Sequence, residues 1–113
     1  VPKIGLGRHD CIVIGSKRDS NVEITLLEVD KHSRAAVLAV DRPDFRWHRR
    51  TKTYSRSRRK LRFYTVGRNQ KCRVAPAVAV TFITLRKGAL KVTLEVQVQT
   101  GTAVRVQRFP TEN

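Results

Sequence analysis

The sequence predicts an all-β fold, and three observations predict it. Apolar and polar residues alternate with a period of two through most of the chain, the pattern of strands with one buried face. Helical periodicity is nowhere convincing. The chain also matches itself: residues 21–40 lie over residues 77–96, 56 positions on, without a gap, and self-similarity at a fixed offset signals a repeat.

The first half gives five short strands, at about residues 2–6, 11–15, 21–29, 34–40 and 45–49, by the period-two criterion. Val22, Ile24 and Leu26 alternate with Glu23 and Thr25. After the polar break Asp30-Lys31-His32-Ser33, Ala36, Leu38 and Val40 alternate with Val37 and Ala39, so the two runs read as a hairpin. The second half gives five more, at about residues 61–66, 72–75, 77–86, 89–99 and 102–108. There Val78, Val80 and Phe82 alternate with Ala79 and Thr81, and Leu90, Val92, Leu94, Val96 and Val98 alternate with Lys91, Thr93, Glu95 and Gln97. Arg86-Lys87-Gly88-Ala89 supplies the turn, with Gly88 able to take a positive φ.

The overlay extends beyond the hairpins. Gly7-Arg8 matches Gly67-Arg68 and Ile14-Gly15 matches Val74-Ala75, both 60 positions on, and Trp47-His48-Arg49 matches Val106-Gln107-Arg108, 59 positions on. The halves are therefore read as repeats spanning residues 1–49 and 61–113, the second divergent. Residues 50–60 are polar, basic and without periodicity, and read as a linker.

Charge narrows the function. The 113 residues carry 24 Lys and Arg against 9 Asp and Glu, a net charge of +15 and a pI near 11.3, which points to a polyanionic partner. Residues 1–45 are formally neutral, whereas residues 46–60 hold 8 basic and no acidic side chains. That partner is expected to be met mainly by the middle and second half. No apolar run approaches the roughly 20 residues of a membrane span, and no leader pattern is visible, so a soluble, cytoplasmic protein without membrane contact is expected. Cys11 and Cys72 are too few for a disulfide framework, lack zinc-site spacing, and are read as buried strand residues.

An enzyme is not expected. His9, His32 and His48 share no metal-ligand spacing, and neither a P-loop nor a dinucleotide fingerprint is present. No catalytic residue, metal, cofactor or small-molecule substrate is assigned.

Cys11-Ile12-Val13-Ile14-Gly15, Val22-Glu23-Ile24-Thr25-Leu26-Leu27-Glu28-Val29, Ala36-Val37-Leu38-Ala39-Val40-Asp41-Arg42-Pro43 and Trp47-His48-Arg49 stand in an order and spacing that resembles the carbon storage regulator family, CsrA and RsmA. These are small bacterial RNA-binding proteins that control translation. The resemblance implies a tandem duplication in one chain: two five-strand CsrA-like repeats interleaved as a pseudo-dimeric β-barrel or sandwich, with each RNA site between one repeat's first strand and the other's fifth. Three features depart from the family. Leu6-Gly7 and Val66-Gly67 stand where its first strand is basic, Gln107 replaces the histidine of the fifth strand, and no amphipathic helix follows either repeat.

The resemblance implies RNA contacts at Arg49 and Arg108, with His48 beside the first. Arg8 and Arg68 follow glycines that would let a nucleic-acid backbone come close. Arg46, Arg50, Lys52, Arg56, Arg58, Arg59 and Lys60 would meet phosphates. Tyr54 is the stacking candidate, whereas Trp47 and Phe63 are assigned to the core. The expected function is translational regulation by occluding single-stranded or hairpin-loop RNA. The alternatives are a structural component of a ribonucleoprotein particle such as a ribosome, and a virion or nucleoid component on DNA.

Overall fold

The structure, a computed structural model, describes residues 2–15, 21–30, 32, 34–75, 77–86 and 91–109. Among the described residues the chain forms nine strands: β1 (Lys3–Gly7), β2 (Cys11–Ile14), β3 (Val22–Asp30), β4 (Ala35–His48), β5 (Thr53–Val66), β6 (Lys71–Ala75), β7 (Val78–Arg86), β8 (Lys91–Gln97) and β9 (Val104–Gln107). They build two open sheets, a four-stranded one in the order β1-β8-β7-β6 and a five-stranded one in the order β5-β4-β3-β2-β9. The all-β expectation holds. The expected turn residues Lys87, Gly88 and Ala89 lie outside the described residues.

Alternation decides which residues meet between the sheets. Ile12, Ile24, Leu26, Leu38 and Val40 from the larger sheet and Leu6, Val80, Phe82, Leu94 and Val96 from the smaller one belong to a single buried cluster. Each sheet draws a strand from the other end of the chain. β1 pairs with β8, Leu6 opposite Val92, and β9 pairs with β2, Val106 opposite Ile12.

The two central hairpins share a register. In the β3–β4 ladder Ile24 faces Val40, Leu26 faces Leu38 and, beyond an extra residue at Leu27, Val29 faces Ala36. In the β7–β8 ladder Val80 faces Val96, Phe82 faces Leu94 and, beyond an extra residue at Ile83, Leu85 faces Val92. Every pair of the second ladder stands 56 positions beyond one of the first, the bulge included. Such an extra residue bends a strand and resets which face its side chains occupy. It keeps Val29 buried after Val22, Ile24 and Leu26.

The turn after the first strand of each half also recurs. The amide of His9 donates to Leu26 O and that of Asn69 to Phe82 O, both at 2.7 Å, and His9 and Asn69 take positive φ values of 69° and 62°.

Three expectations are corrected. The strands expected at residues 34–40 and 45–49 run on as one, β4, and residues 50–60 are not a linker: a turn at residues 49–52 leads into β5 from Thr53. The ladder runs from Ala36 opposite Val66 to His48 opposite Thr53, with a register shift beside Pro43, whose missing N–H suits it to an irregularity. Backbone pairing between the two strands satisfies groups that a linker would leave to water. Cys11 and Cys72 lie on strands as expected but are only half-buried.

Candidate nucleic-acid interface

The best-built polar site lies where β1 ends beside the end of β9. Pairing of β9 with β2 brings Arg108, one residue beyond the strand, to the β1–β2 turn. Its Nη1 donates to Gly5 O at 2.7 Å and to Asp10 Oδ2 at 2.9 Å. Asp10 is buried at 8% exposure and also accepts from the amides of Gly7 at 2.8 Å and Phe109 at 2.9 Å. Burial pushes its carboxyl up, but the Phe109 amide, the Arg108 guanidinium and the Gly7 amide together hold it below its usual value of 3.8. Asp10 therefore ties the β1–β2 turn to the end of β9 and fixes Arg108.

Above this anchor is an open cleft of about 750 Å³ lined by Gly5, Gly7, Arg8, Lys91, Thr93 and Arg108. Three of those six are cationic, and Asp10, the acid beside them, is paired with Arg108. A Cβ built on Gly5 meets nothing within 4 Å, so the cleft wall there is bare backbone. Phe109, 54% exposed, also lines the cleft and packs against His9, ring centroids 5.2 Å apart at 46°. Guanidinium carries five donors in a planar fork, so Arg108 retains donors for a phosphate or a guanine edge.

The residues singled out from sequence fall in different places. Arg8 and Arg108 meet at this cleft. Arg68 is exposed in the equivalent turn after β5, but Arg49, the match of Arg108, lies at the opposite end of the β4–β5 hairpin. Beyond the Glu23–Asp41 pair, β4 leaves β3 and continues with β5 alone as a two-stranded ribbon. Arg49, Arg50 and Lys52 are exposed at its tip, and Lys60 is exposed along it. His48 is hydrogen-bonded through Nε2 to the Ser55 hydroxyl. Arg59 holds the base of the ribbon, donating to Asp41 Oδ1 at 3.0 Å and to the Asn21 carbonyl at 2.7 Å. Arg46, Tyr54, Arg56 and Arg58 belong to the ribbon by position, and their side chains lie outside the described residues.

Two readings change. A Cβ on Gly7 would stand 3.3 Å from Asp10 Oδ2, and one on Gly67 would stand 2.7 Å from Gln70 Oε1, whose side chain accepts from the Gly67 amide. These glycines make room for the turn's own side chain, and of the two glycines lining the cleft Gly5 has open space beside it. Phe63, assigned to the core, is 65% exposed, because the inward positions of β5 are Tyr64 and Val66. Lys91, Thr93, Asp10 and Phe109 were not assigned to a site from sequence, since only the β1–β8 and β2–β9 pairings bring them together.

Among the described residues, no group of three or more His, Cys, Asp and Glu could hold a metal ion, and no helix is long and apolar enough to cross a membrane. A scan against protein-family models, a search of curated proteins and a search of solved structures each returned no match.

Proposed function

We propose that the chain binds RNA at the β1–β9 cleft and regulates translation by occluding single-stranded or hairpin-loop RNA, as two interleaved CsrA-like repeats in one chain. The observation that carries this is Arg108, clamped by Gly5 O and Asp10 at the mouth of a cationic cleft with a bare-glycine wall. Phosphates are drawn by Arg8, Lys91 and Arg108, and base edges are read by guanidinium and strand-end hydrogen bonds. The repeat reading is supported by the shared register of the two central ladders and by the exchange of β1 and β9 between the sheets. On this reading the chain carries a single family-type site, because the segment equivalent to β9 is committed to the ribbon.

A second reading, a structural component of a ribonucleoprotein particle such as a ribosome, is favoured by the ribbon itself. An exposed basic hairpin standing off a small β domain is suited to threading between RNA helices.

Competition binding at about 150 mM salt, where charge attraction alone is weakened, separates the two. A GGA-loop hairpin is expected to outcompete a scrambled hairpin. Arg108→Ala should abolish that preference, and Arg49→Ala should weaken both RNAs alike. Equal, salt-sensitive binding of both hairpins that ignores Arg108→Ala would replace the regulator reading with the structural one.

A further inference from the structure

We propose that the cleft is one end of a longer track for unpaired RNA, which crosses the outer face of the four-stranded sheet to a second phosphate contact at Lys71 and Arg73. The inference rests on the cleft reading and extends it to the path the strand takes.

Alternation sets out this face. On β6 the half-buried Cys72 and buried Val74 pack on the core, so exposed Lys71 and Arg73 point outward. On β8 Val92, Leu94 and Val96 are buried, so Lys91, Thr93, Glu95 and Gln97 point outward. The cleft opens on the same face, through Gly5, Gly7, Lys91 and Thr93. At the other end of β8 lies a second hollow, of about 220 Å³, whose lining includes Lys71, Arg73, Ala79 and Gln97. The ladders place Ala79 between Arg73 and Gln97, and a methyl group flanked by two long polar side chains leaves space above it. Thr93 in the cleft and Gln97 in the hollow stand on one strand, about 13 Å apart at the usual rise per residue. A short unpaired strand therefore reaches both.

Charge on this face fits a polyanion. Its described outward positions carry Lys3, Lys71, Arg73 and Lys91 against Glu95, which faces Lys3 across the β1–β8 pair. Among the described residues neither Lys71 nor Arg73 is paired with a carboxylate. The first repeat differs at the equivalent positions. Under the offsets of 60 and 56, Cys11 and Val13 stand where Lys71 and Arg73 do, and Glu23 and Asp41 stand where Ala79 and Gln97 do. Glu95 in place of Ala39 runs the other way. The repeats thus keep a common core pattern, while the outer face of the second sheds two acids and gains a Lys and an Arg. An acidic protein surface would also answer this charge. A nucleic-acid strand that continues out of the cleft accounts in addition for the two hollows opening on one face.

The test uses the full chain at about 150 mM salt, with a nine-nucleotide RNA centred on GGA and the same RNA extended by six uridines at each end. The extension should tighten binding to the wild type. Lys71→Ala/Arg73→Ala should bind the extended RNA roughly 10-fold more weakly and lower its salt slope by about 1.4, the value for two phosphate contacts on a single strand. It should bind the short RNA as the wild type does. Arg34→Ala/Arg105→Ala, which removes the same charge from exposed positions beside β4 and on β9, should leave both affinities unchanged, and circular dichroism of all these proteins should be the same. Equal binding of the extended RNA by wild type and Lys71→Ala/Arg73→Ala, or an equal loss in both double variants, would overturn the track and leave the cleft standing. Indifference of both RNAs to Arg108→Ala would overturn the cleft and with it the track. A wild-type dimer in sedimentation equilibrium that Lys71→Ala/Arg73→Ala dissolves, with RNA affinities unchanged, would assign the face to a second copy instead.

Discussion

Asp10 joins stability to binding. Its carboxylate accepts from two backbone amides and from Arg108 while itself 8% exposed, so Asp10→Ala leaves donors unmatched at the cleft floor. The expected loss is about 1–3 kcal/mol in urea denaturation at neutral pH. The pH dependence follows from the lowered carboxyl value. A carboxylate whose folded value lies below its unfolded one contributes fully above the unfolded value, and that contribution disappears as pH falls through the folded one. Wild type and Asp10→Ala should therefore differ most above about pH 4, and the gap should narrow as pH falls below that; a gap that does not change with pH would remove the ionisation of Asp10 as its cause. Nothing in the sequence around His9-Asp10-Cys11 announces this role. The partner is Arg108, 98 residues away, and the pairing depends on β9 lying beside β2.

The β4–β5 hairpin shows where pattern reading stops. Strands with a buried face were legible: Val22, Ile24 and Leu26, or Val92, Leu94 and Val96, alternate because every second side chain enters the core. Residues 53–60 form strand in a polar, basic run whose sequence carries no period-two apolar signal, so it reads as linker. Beyond Asp41 the strands pair only with each other, and a two-stranded hairpin is marginally stable in water, which leaves its backbone open to attack. Trypsin is expected to cut first after Arg49, Arg50 or Lys52, all exposed in the turn, as mass spectrometry of early digests would show. First cuts after Lys71 or Arg73 instead would place the weak element at β6.

At the scale of the molecule, cutting that turn should not separate the halves. β1 completes the sheet of β6, β7 and β8, and β5 and β9 flank β4, β3 and β2, so the first half contributes one strand and the second half two strands to the other's sheet. The nicked chain should elute from gel filtration as a single species of unchanged size. Two species would mean that each half folds by itself. The match at an offset of 56 was readable in the sequence because it preserves strand registers. The departure of residues 45–48 from that pattern was not, because Trp47-His48-Arg49 looks locally like Val106-Gln107-Arg108 whichever strand it pairs with. For the same reason the match of Arg49 to Arg108 did not show that the two stand in different surroundings, Arg108 at the β1–β9 cleft and Arg49 at the tip of the β4–β5 hairpin.

Amide chemical-shift mapping with the GGA hairpin shows whether RNA occupies this cleft. The largest changes are expected on Gly5, Gly7, Arg8, Lys91, Thr93 and Arg108. Changes confined to residues 49–60, with the cleft amides unmoved, would contradict it.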